Sequence, residues 1–156
     1  MAFSVDRFFT RLNPLIVGIL RSPLHGLLSW GLAVITVTGH KTGRRYSFPV
    51  GYQREAYDRV VVMVSEAPRK TWWKNYRHAG PVELRIRGRD RRGHAEVVDP
   101  HSDDFRNLVE QTVRRVRGMD RVFKFEYDRE RGLTEEQAAH VAHEVAAVRI
   151  VVDSVV

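Results

Sequence analysis

Residues 39–45, Gly-His-Lys-Thr-Gly-Arg-Arg, bring together two glycines, one hydroxyl and three permanent cations. Glycine lets backbone N–H groups turn toward a ligand, and a threonine hydroxyl can donate a hydrogen bond. Lys41, Arg44 and Arg45 would neutralise a phosphate through charge-assisted hydrogen bonds. The segment therefore predicts an anion site, and its alternative is a hairpin turn with solvated cations. The spacing before the lysine is not that of a Walker phosphate loop.

A second candidate segment is aromatic and covers residues 71–78, Thr-Trp-Trp-Lys-Asn-Tyr-Arg-His. Thr71 is able to cap one or two helical turns, on which Trp72 and Tyr76 would share a face. Aromatic rings on one face can stack on a flat conjugated ring of a ligand, or can simply belong to the core. Asn75 would either orient a carbonyl of such a ring or cap the turn.

Other common kinds of site find little support in the sequence. There is no cysteine, which excludes thiolate chemistry and disulfides. His140 and His143 have helical spacing, but no third ligand accompanies them, so we expect no metal. No Ser-His-Asp arrangement emerges from the order of the residues.

The densest positive cluster consists of five arginines, which we call the arginine cluster: Arg85, Arg87, Arg89, Arg91 and Arg92. Nucleic acid is one candidate partner for it. The cluster lacks the interleaved aromatic residues of a single-strand binder, so we expect no nucleic acid. Contact with an anionic membrane surface is the alternative, and the formal charge of +7 favours anionic partners in general.

The periodicity of apolar residues predicts the elements that position these segments. Helical spacing covers residues 5–30, and extended runs cover residues 32–38, 45–54 and 59–65. A second hairpin joins residues 81–87 to residues 92–98 through a turn at 88–91. Ser102 begins the most regular helix, whose apolar stripe ends at Val116. Thr134 and Gln137 form a capping box before a shorter helix, and residues 145–152 form the last strand.

This order lacks regular strand–helix alternation, and its hairpins favour an antiparallel sheet or barrel with helices packed outside. The fold class predicted is α+β, mainly β. We expect one domain over residues 1–156, consisting of an apolar helical segment at 1–30 and a barrel at 31–156. The apolar N-terminal region is too interrupted to span a bilayer and does not read as a signal peptide, which predicts a cytoplasmic protein.

Four ordered motifs carry a resemblance to a known family: residues 36–43, 49–52, 61–65 and 72–75. In these the chain resembles the deazaflavin (coenzyme F420)-dependent nitroreductase family of FMN-binding-like split β-barrels. The similarity runs from about residue 14 to residue 98 and resumes in the final strand. It implies about six mostly antiparallel strands and hydride transfer from reduced F420 to a small hydrophobic acceptor, such as a quinone, a nitro compound or an enone.

The resemblance also implies roles for individual residues. The residues expected to contact the phosphate and tail of the coenzyme are Lys41, Thr42, Gly43, Arg44 and Arg45. Ser47 and Pro49 would lie along the coenzyme, and Val64 and Ser65 near its ring. The wall opposite the ring would consist of Trp72, Trp73 and Asn75. Tyr127 would donate a proton or hydrogen bond to the acceptor.

Two departures from the family pattern concern the coenzyme's anionic tail. Tyr46 stands where relatives often carry arginine, and Glu66 stands where they often carry lysine. Arg69 and Lys70 would compensate for the carboxylate of Glu66. The alternatives left open are FMN in place of F420, and a non-catalytic protein that binds a fatty acid or cofactor. The resemblance also favours a homodimer and peripheral contact with the inner face of the membrane.

Overall fold

A computed structural model describes residues 31–153, so the predicted helices within residues 5–30 lie outside the described residues. Seven strands form one sheet: β1 Leu32–Thr38, β2 Arg45–Gly51, β3 Gln53–Ala56, β4 Arg59–Val64, β5 Gly80–Ile86, β6 Arg89–Val97 and β7 Ala146–Val152. The helices are α1 Asp103–Arg115, α2 Met119–Val122 and α3 Glu135–Glu144, with short 3-10 helices at Ala67–Arg69 and Trp72–Tyr76.

The order of the strands shows how the sheet closes. It runs β2-β1-β5-β6-β7-β4-β3, and every neighbouring pair is antiparallel. The two edge strands, β2 and β3, are separated in the chain by Tyr52 alone. A chain can pass between opposite edges through one residue only if the sheet curls on itself. The predicted split β-barrel fold is confirmed.

Alternation along the strands gives the sheet two apolar faces. On β4, Val60, Val62 and Val64 belong to the core inside the curled sheet, which we call the barrel interior. Val61 belongs to a second core, which we call the helical side because residues of α1 and α3 pack there with it. This strand is therefore buried on both faces, as its composition predicts.

Two of the three predicted helix caps are confirmed, whereas the Thr71 side chain makes no cap hydrogen bond to the 3-10 helix that follows it. The Ser102 hydroxyl accepts from Phe105 N, and Thr134 with Gln137 forms a complete capping box. The stripe of α1 is buried from Phe105 to Val113, but its predicted last member, Val116, follows the helix end and is 46% exposed. Within residues 31–153, no helix has the length and the apolar run needed to cross a bilayer.

Two predicted boundaries are wrong. The extended run at residues 45–54 is broken at Tyr52, because the chain crosses there from one edge of the sheet to the other. The second hairpin turns at Arg87 and Gly88 rather than at residues 88–91, so β6 begins earlier, at Arg89. Both turn residues have positive φ, 49° and 74°, a pair of conformations that suits the twist of a two-residue hairpin.

Candidate functional site

The cationic turn between β1 and β2, residues 39–44, is held by bonds within itself. Gly39 N donates to Arg44 O over 2.7 Å, and Gly43 N donates to Gly39 O over 2.9 Å. Gly43 adopts a φ of 65°, which favours glycine, and a Cβ on Gly39 would lie only 2.9 Å from Thr42 Oγ1. The geometry of the turn therefore requires a glycine at each of these two positions. The N–H groups of the two glycines themselves close the turn and so do not face a ligand.

The charged side chains of this region differ in their partners. Arg45 pairs with Glu83 of β5. Lys41 and Arg44 are exposed, and no acidic residue among residues 31–153 forms an ion pair with either. The donors that remain available to an anion are therefore the Lys41 ammonium, the Arg44 guanidinium and the Thr42 hydroxyl. This set suits a phosphate.

Asn75 connects the cationic turn to the aromatic segment. Its Oδ1 accepts from His40 N over 3.3 Å, and its Nδ2 donates to Trp72 O over 3.0 Å. The two ends of one short, half-buried side chain thus join segments 35 residues apart. Asn75 acts as a strut between the predicted anion site and the predicted ring site.

The aromatic segment forms a wall with a residue of β2. The Trp72 ring lies 5.2 Å from the Phe48 ring at 58°, and 6.4 Å from the Tyr76 ring at 72°. The Tyr76 hydroxyl donates to Pro81 O over 3.3 Å, and burial raises the pKa of Tyr76 to about 12. Trp72 is half-buried against the barrel interior, which leaves part of its ring accessible.

Trp73 belongs to the same 3-10 helix and is also packed against the barrel interior. Its Nε1 donates to Ala67 O over 2.9 Å. Lys74 Nζ and the Arg77 guanidinium lie 5.8 Å and 5.5 Å from the Trp73 ring centre, within the range of cation–π attraction. Trp73 therefore brings further positive charge next to the wall.

The end of β4 and the loop after it carry three of the predicted contacts, Val64, Ser65 and Lys70. The Val64 side chain is 3% exposed in the barrel interior, so only its backbone is available to a ligand, whereas Ser65 is half-buried. Partial desolvation lowers the pKa of Lys70, and the nearby Glu66 carboxylate opposes this shift. The Glu66 carboxylate itself contacts Arg69 and Lys124, each at 3.5 Å, and these cations offset its charge.

Some predicted site residues lie apart from this assembly. Ser47 Oγ hydrogen-bonds Thr36 Oγ1 at 2.8 Å. Because strand neighbours alternate, Ser47 and Pro49 point away from the face on which Phe48 meets Trp72. The Tyr127 hydroxyl donates to Glu110 Oε1 over 3.0 Å on the helical side, away from the aromatic wall, a position that does not favour proton donation there.

Sequence reasoning missed Phe48, although the signal was present. In the hairpin register Phe48 pairs with the buried Ile35, so a hairpin alignment would have placed it on the inner face. Across residues 31–153, no group of three His, Cys, Asp or Glu side chains is close enough to hold a metal ion.

A family model described as F420H(2)-dependent quinone reductase matches residues 21–130. No curated protein matches the chain significantly.

Solved structures show similarity in fold. HupZ of group A Streptococcus is 14% identical with a TM-score of 0.50, over 84% of this chain and 92% of that one. A structure described as a domain-swapped dimer is 11% identical with a TM-score of 0.51, over 86% and 98%. A FAD- and heme-binding protein from Mycobacterium smegmatis is 18% identical with a TM-score of 0.48, over 85% and 67%. Since the family model covers most of the chain, the chain belongs to the F420H(2)-dependent quinone reductase family, a family of oxidoreductases.

Proposed function

We propose that the chain binds coenzyme F420 across the cationic turn and the aromatic wall, and reduces a small hydrophobic acceptor. A quinone is the first candidate, and activated nitro compounds and enones are the others. The observation that carries the proposal is the Asn75 strut, which joins the two halves of the site through bonds of 3.3 Å and 3.0 Å. One half offers cations for a phosphate, and the other offers ring faces.

The residues present fit an anionic, ring-bearing coenzyme. Lys41 and Arg44 would hold its phosphate and carboxylate groups, because both cations are exposed and available. Trp72, at 5.2 Å from Phe48, offers a preset ring face that needs little reordering on binding. Lys70, Lys74 and Arg77 would add attraction for an anionic tail.

The division of labour between coenzyme and protein follows from these contacts. The coenzyme supplies the hydride when bound. The protein's contribution is orientation, because the cationic turn fixes one end and the aromatic wall fixes the plane of the ring. The apolar wall also limits the access of water. We assign no proton donor among the described residues, because the Tyr127 hydroxyl is engaged by Glu110.

Titration of the purified chain tests this proposal. F420, FMN and a long-chain fatty acid are added separately, and binding is followed by tryptophan emission. Binding of F420 in the micromolar range, with anaerobic turnover of menadione by reduced F420, is expected. Preference for FMN would contradict the choice of coenzyme. Tight fatty-acid binding without F420 binding would instead favour the non-catalytic alternative.

We further propose that the arginine cluster brings the protein to anionic membranes, where quinones dissolve. Arg87, Arg89 and Arg92 are exposed, whereas Arg85 is tied to Asp90 at 2.9 Å. Co-sedimentation with phosphatidylglycerol vesicles but not with phosphatidylcholine vesicles is expected, and should fall when Arg87 and Arg89 become alanine. Equal sedimentation with both kinds of vesicle would refute an electrostatic contact.

We propose that the chain forms a homodimer through the edge strand β2. In the described sheet this strand is hydrogen-bonded to β1 on one side and to no strand on the other. Light scattering after gel filtration should give twice the mass of one chain. A monomeric mass at micromolar concentration would contradict a homodimer.

A further inference from the structure

Two residues far apart in the sequence share an uncommon backbone conformation and contact one another. Glu66 has a φ of 50° and Lys124 a φ of 63°, backbone angles that residues other than glycine rarely adopt. Lys124 Nζ lies 3.5 Å from Glu66 Oε1. A strained backbone conformation persists only when contacts with its surroundings stabilise it. Here the ion pair between the two side chains supplies part of that stabilisation for each residue.

Lys124 is itself anchored by a second carboxylate. Its Nζ lies 2.5 Å from Oε1 of Glu144, the last residue of α3, whose side chain is only 14% exposed. Lys124 N also donates to Arg121 O of α2 over 3.0 Å. The ammonium is therefore held between the end of α3 and the loop that follows β4.

The loop that Lys124 reaches is the one that fixes Trp73. Arg69 N donates to Glu66 O over 3.0 Å, which shapes the first 3-10 helix. Ala67 is 2% exposed, and its carbonyl accepts both from Lys70 N at 3.1 Å and from Trp73 Nε1 at 2.9 Å. Displacement of Glu66 would therefore move the acceptor of the Trp73 indole.

We propose that Lys124 is a positioning residue, which bridges Glu66 and Glu144 to hold the loop of residues 66–70 and, through Ala67, the Trp73 ring. The effect on coenzyme binding rests on the proposed function, but the effect on the loop does not. The same contact explains how a carboxylate is tolerated after Ser65, because Glu66 is drawn toward Lys124 and Arg69.

The test compares Lys124→Met, which removes the charge and retains the length, with Lys124→Arg, which retains the charge. Arg121→Met is the matched control, since Arg121 is an exposed cation three residues away that forms no ion pair among the described residues. The first readout is hydrogen exchange at the amides of residues 69 and 70 without coenzyme. The second is the dissociation constant for F420.

Exchange in Lys124→Met should be about fivefold faster than in the wild type, the scale expected of partly exposed ion pairs. Lys124→Arg should restore slow exchange, and Arg121→Met should leave it unchanged. Glu66→Gln should reproduce the effect of Lys124→Met, and the double variant should add little. The F420 affinity should fall by a similar factor in the same variants.

Unchanged exchange in both Lys124→Met and Glu66→Gln would overturn the proposal. Faster exchange with unaltered F420 affinity would overturn the link to Trp73 while leaving the proposed function intact. If the wild type fails to bind F420, the proposed function fails, and the exchange comparison alone decides whether Lys124 holds the loop.

Discussion

The chain contains two basic hairpins that resemble each other in composition and differ in what supports them. The β1–β2 turn carries Lys41 and Arg44, and the β5–β6 turn carries Arg87, with Arg89 directly after it. Asn75 braces the first turn against the aromatic wall. Among the described residues, no side-chain hydrogen bond reaches Arg87 or Gly88. Positive charge is common on this surface, so we propose that a neighbouring aromatic wall is what distinguishes a ligand site from a turn that is merely basic.

Among the substitutions that leave Lys41 and Arg44 in place, the largest effect is expected when the Asn75 side chain loses its hydrogen bonds. Asn75→Leu retains the size of the side chain and loses both of its hydrogen bonds. Because these bonds align the two halves of the site, F420 affinity should fall about tenfold, which is about 1.4 kcal/mol. Calorimetric titration measures the change. Asn107→Leu, at an exposed position on α1, is the control and should bind normally; equal affinity in both variants would remove Asn75 from the site.

Tyr76 ties the wall to the start of β5, and its removal should have the next largest effect. Tyr76→Phe loses the bond to Pro81 O and should lower the free energy of unfolding by about 1 kcal/mol at neutral pH. The exposed Tyr57→Phe should change nothing, since Tyr57 is 95% exposed. Urea denaturation measures the free energy of unfolding of both variants. Equal losses in the two variants would contradict a stabilising role for the hydrogen bond between Tyr76 and Pro81 O.

Because the pKa of Tyr76 is raised, the free energy of unfolding should depend on pH in a way that Tyr76→Phe removes. The folded pKa of about 12 lies above the ordinary value of 10. The stabilisation by neutral Tyr76 is therefore complete below pH 10 and is lost as the pH rises through about 12. Tyr76→Phe should flatten the stability curve in this window. A curve that stays as steep as that of the wild type would assign the loss to other groups.

The two turns should respond in opposite ways to changes in their left-handed residues. Gly43 has a φ of 65°, so Gly43→Ala should cost about 1 kcal/mol of stability. Arg87 has a φ of 49°, and Arg87→Asn places there a residue that favours this conformation, with a gain of about 0.5 kcal/mol. Thermal unfolding measures both. A loss in Arg87→Asn would show that the arginine side chain itself stabilises the second turn.

The smallest effect is expected at Arg45. Because this guanidinium pairs with Glu83, Arg45→Met should change F420 affinity by less than about threefold. Arg59→Met, which breaks an ion pair with Glu55, is the control. A loss at Arg45 as large as that at Arg44 would mean that Arg45 leaves Glu83 to bind the coenzyme.

Much of the fold was predictable because burial imposes a period. Val82, Leu84 and Ile86 alternate with exposed or half-exposed residues, and this reveals β5 and its inner face. The capping residues Ser102 and Thr134 mark the beginnings of helices through local hydrogen bonds. The break at Tyr52 was not predictable, since it arises from closure of the sheet and leaves no local signal. Nor does an arginine signal a left-handed turn at position 87.

The candidate site was predictable in its parts and not in its assembly. The cations of the turn and the rings of the aromatic segment are evident in the composition of short segments. The contact between Asn75 and His40, and that between Lys124 and Glu66, join segments far apart in the chain, and only the folded sheet brings them together. Ser47 and Phe48 lie on opposite faces of β2 because strand neighbours alternate. The register with β1, which pairs Phe48 with the buried Ile35, shows which of these faces is the inner one.

The central claim is that the braced turn, and not the net charge, holds the anionic coenzyme. The most direct measurement is F420 affinity at physiological ionic strength in two double variants of equal charge change. Lys41→Ala with Arg44→Ala should weaken binding at least about a hundredfold, because each cation supplies a charged hydrogen bond of about 1.5–3 kcal/mol. Arg87→Ala with Arg89→Ala should stay within about twofold of the wild type, since salt screens distant charges. Equal weakening in the two double variants would contradict the claim.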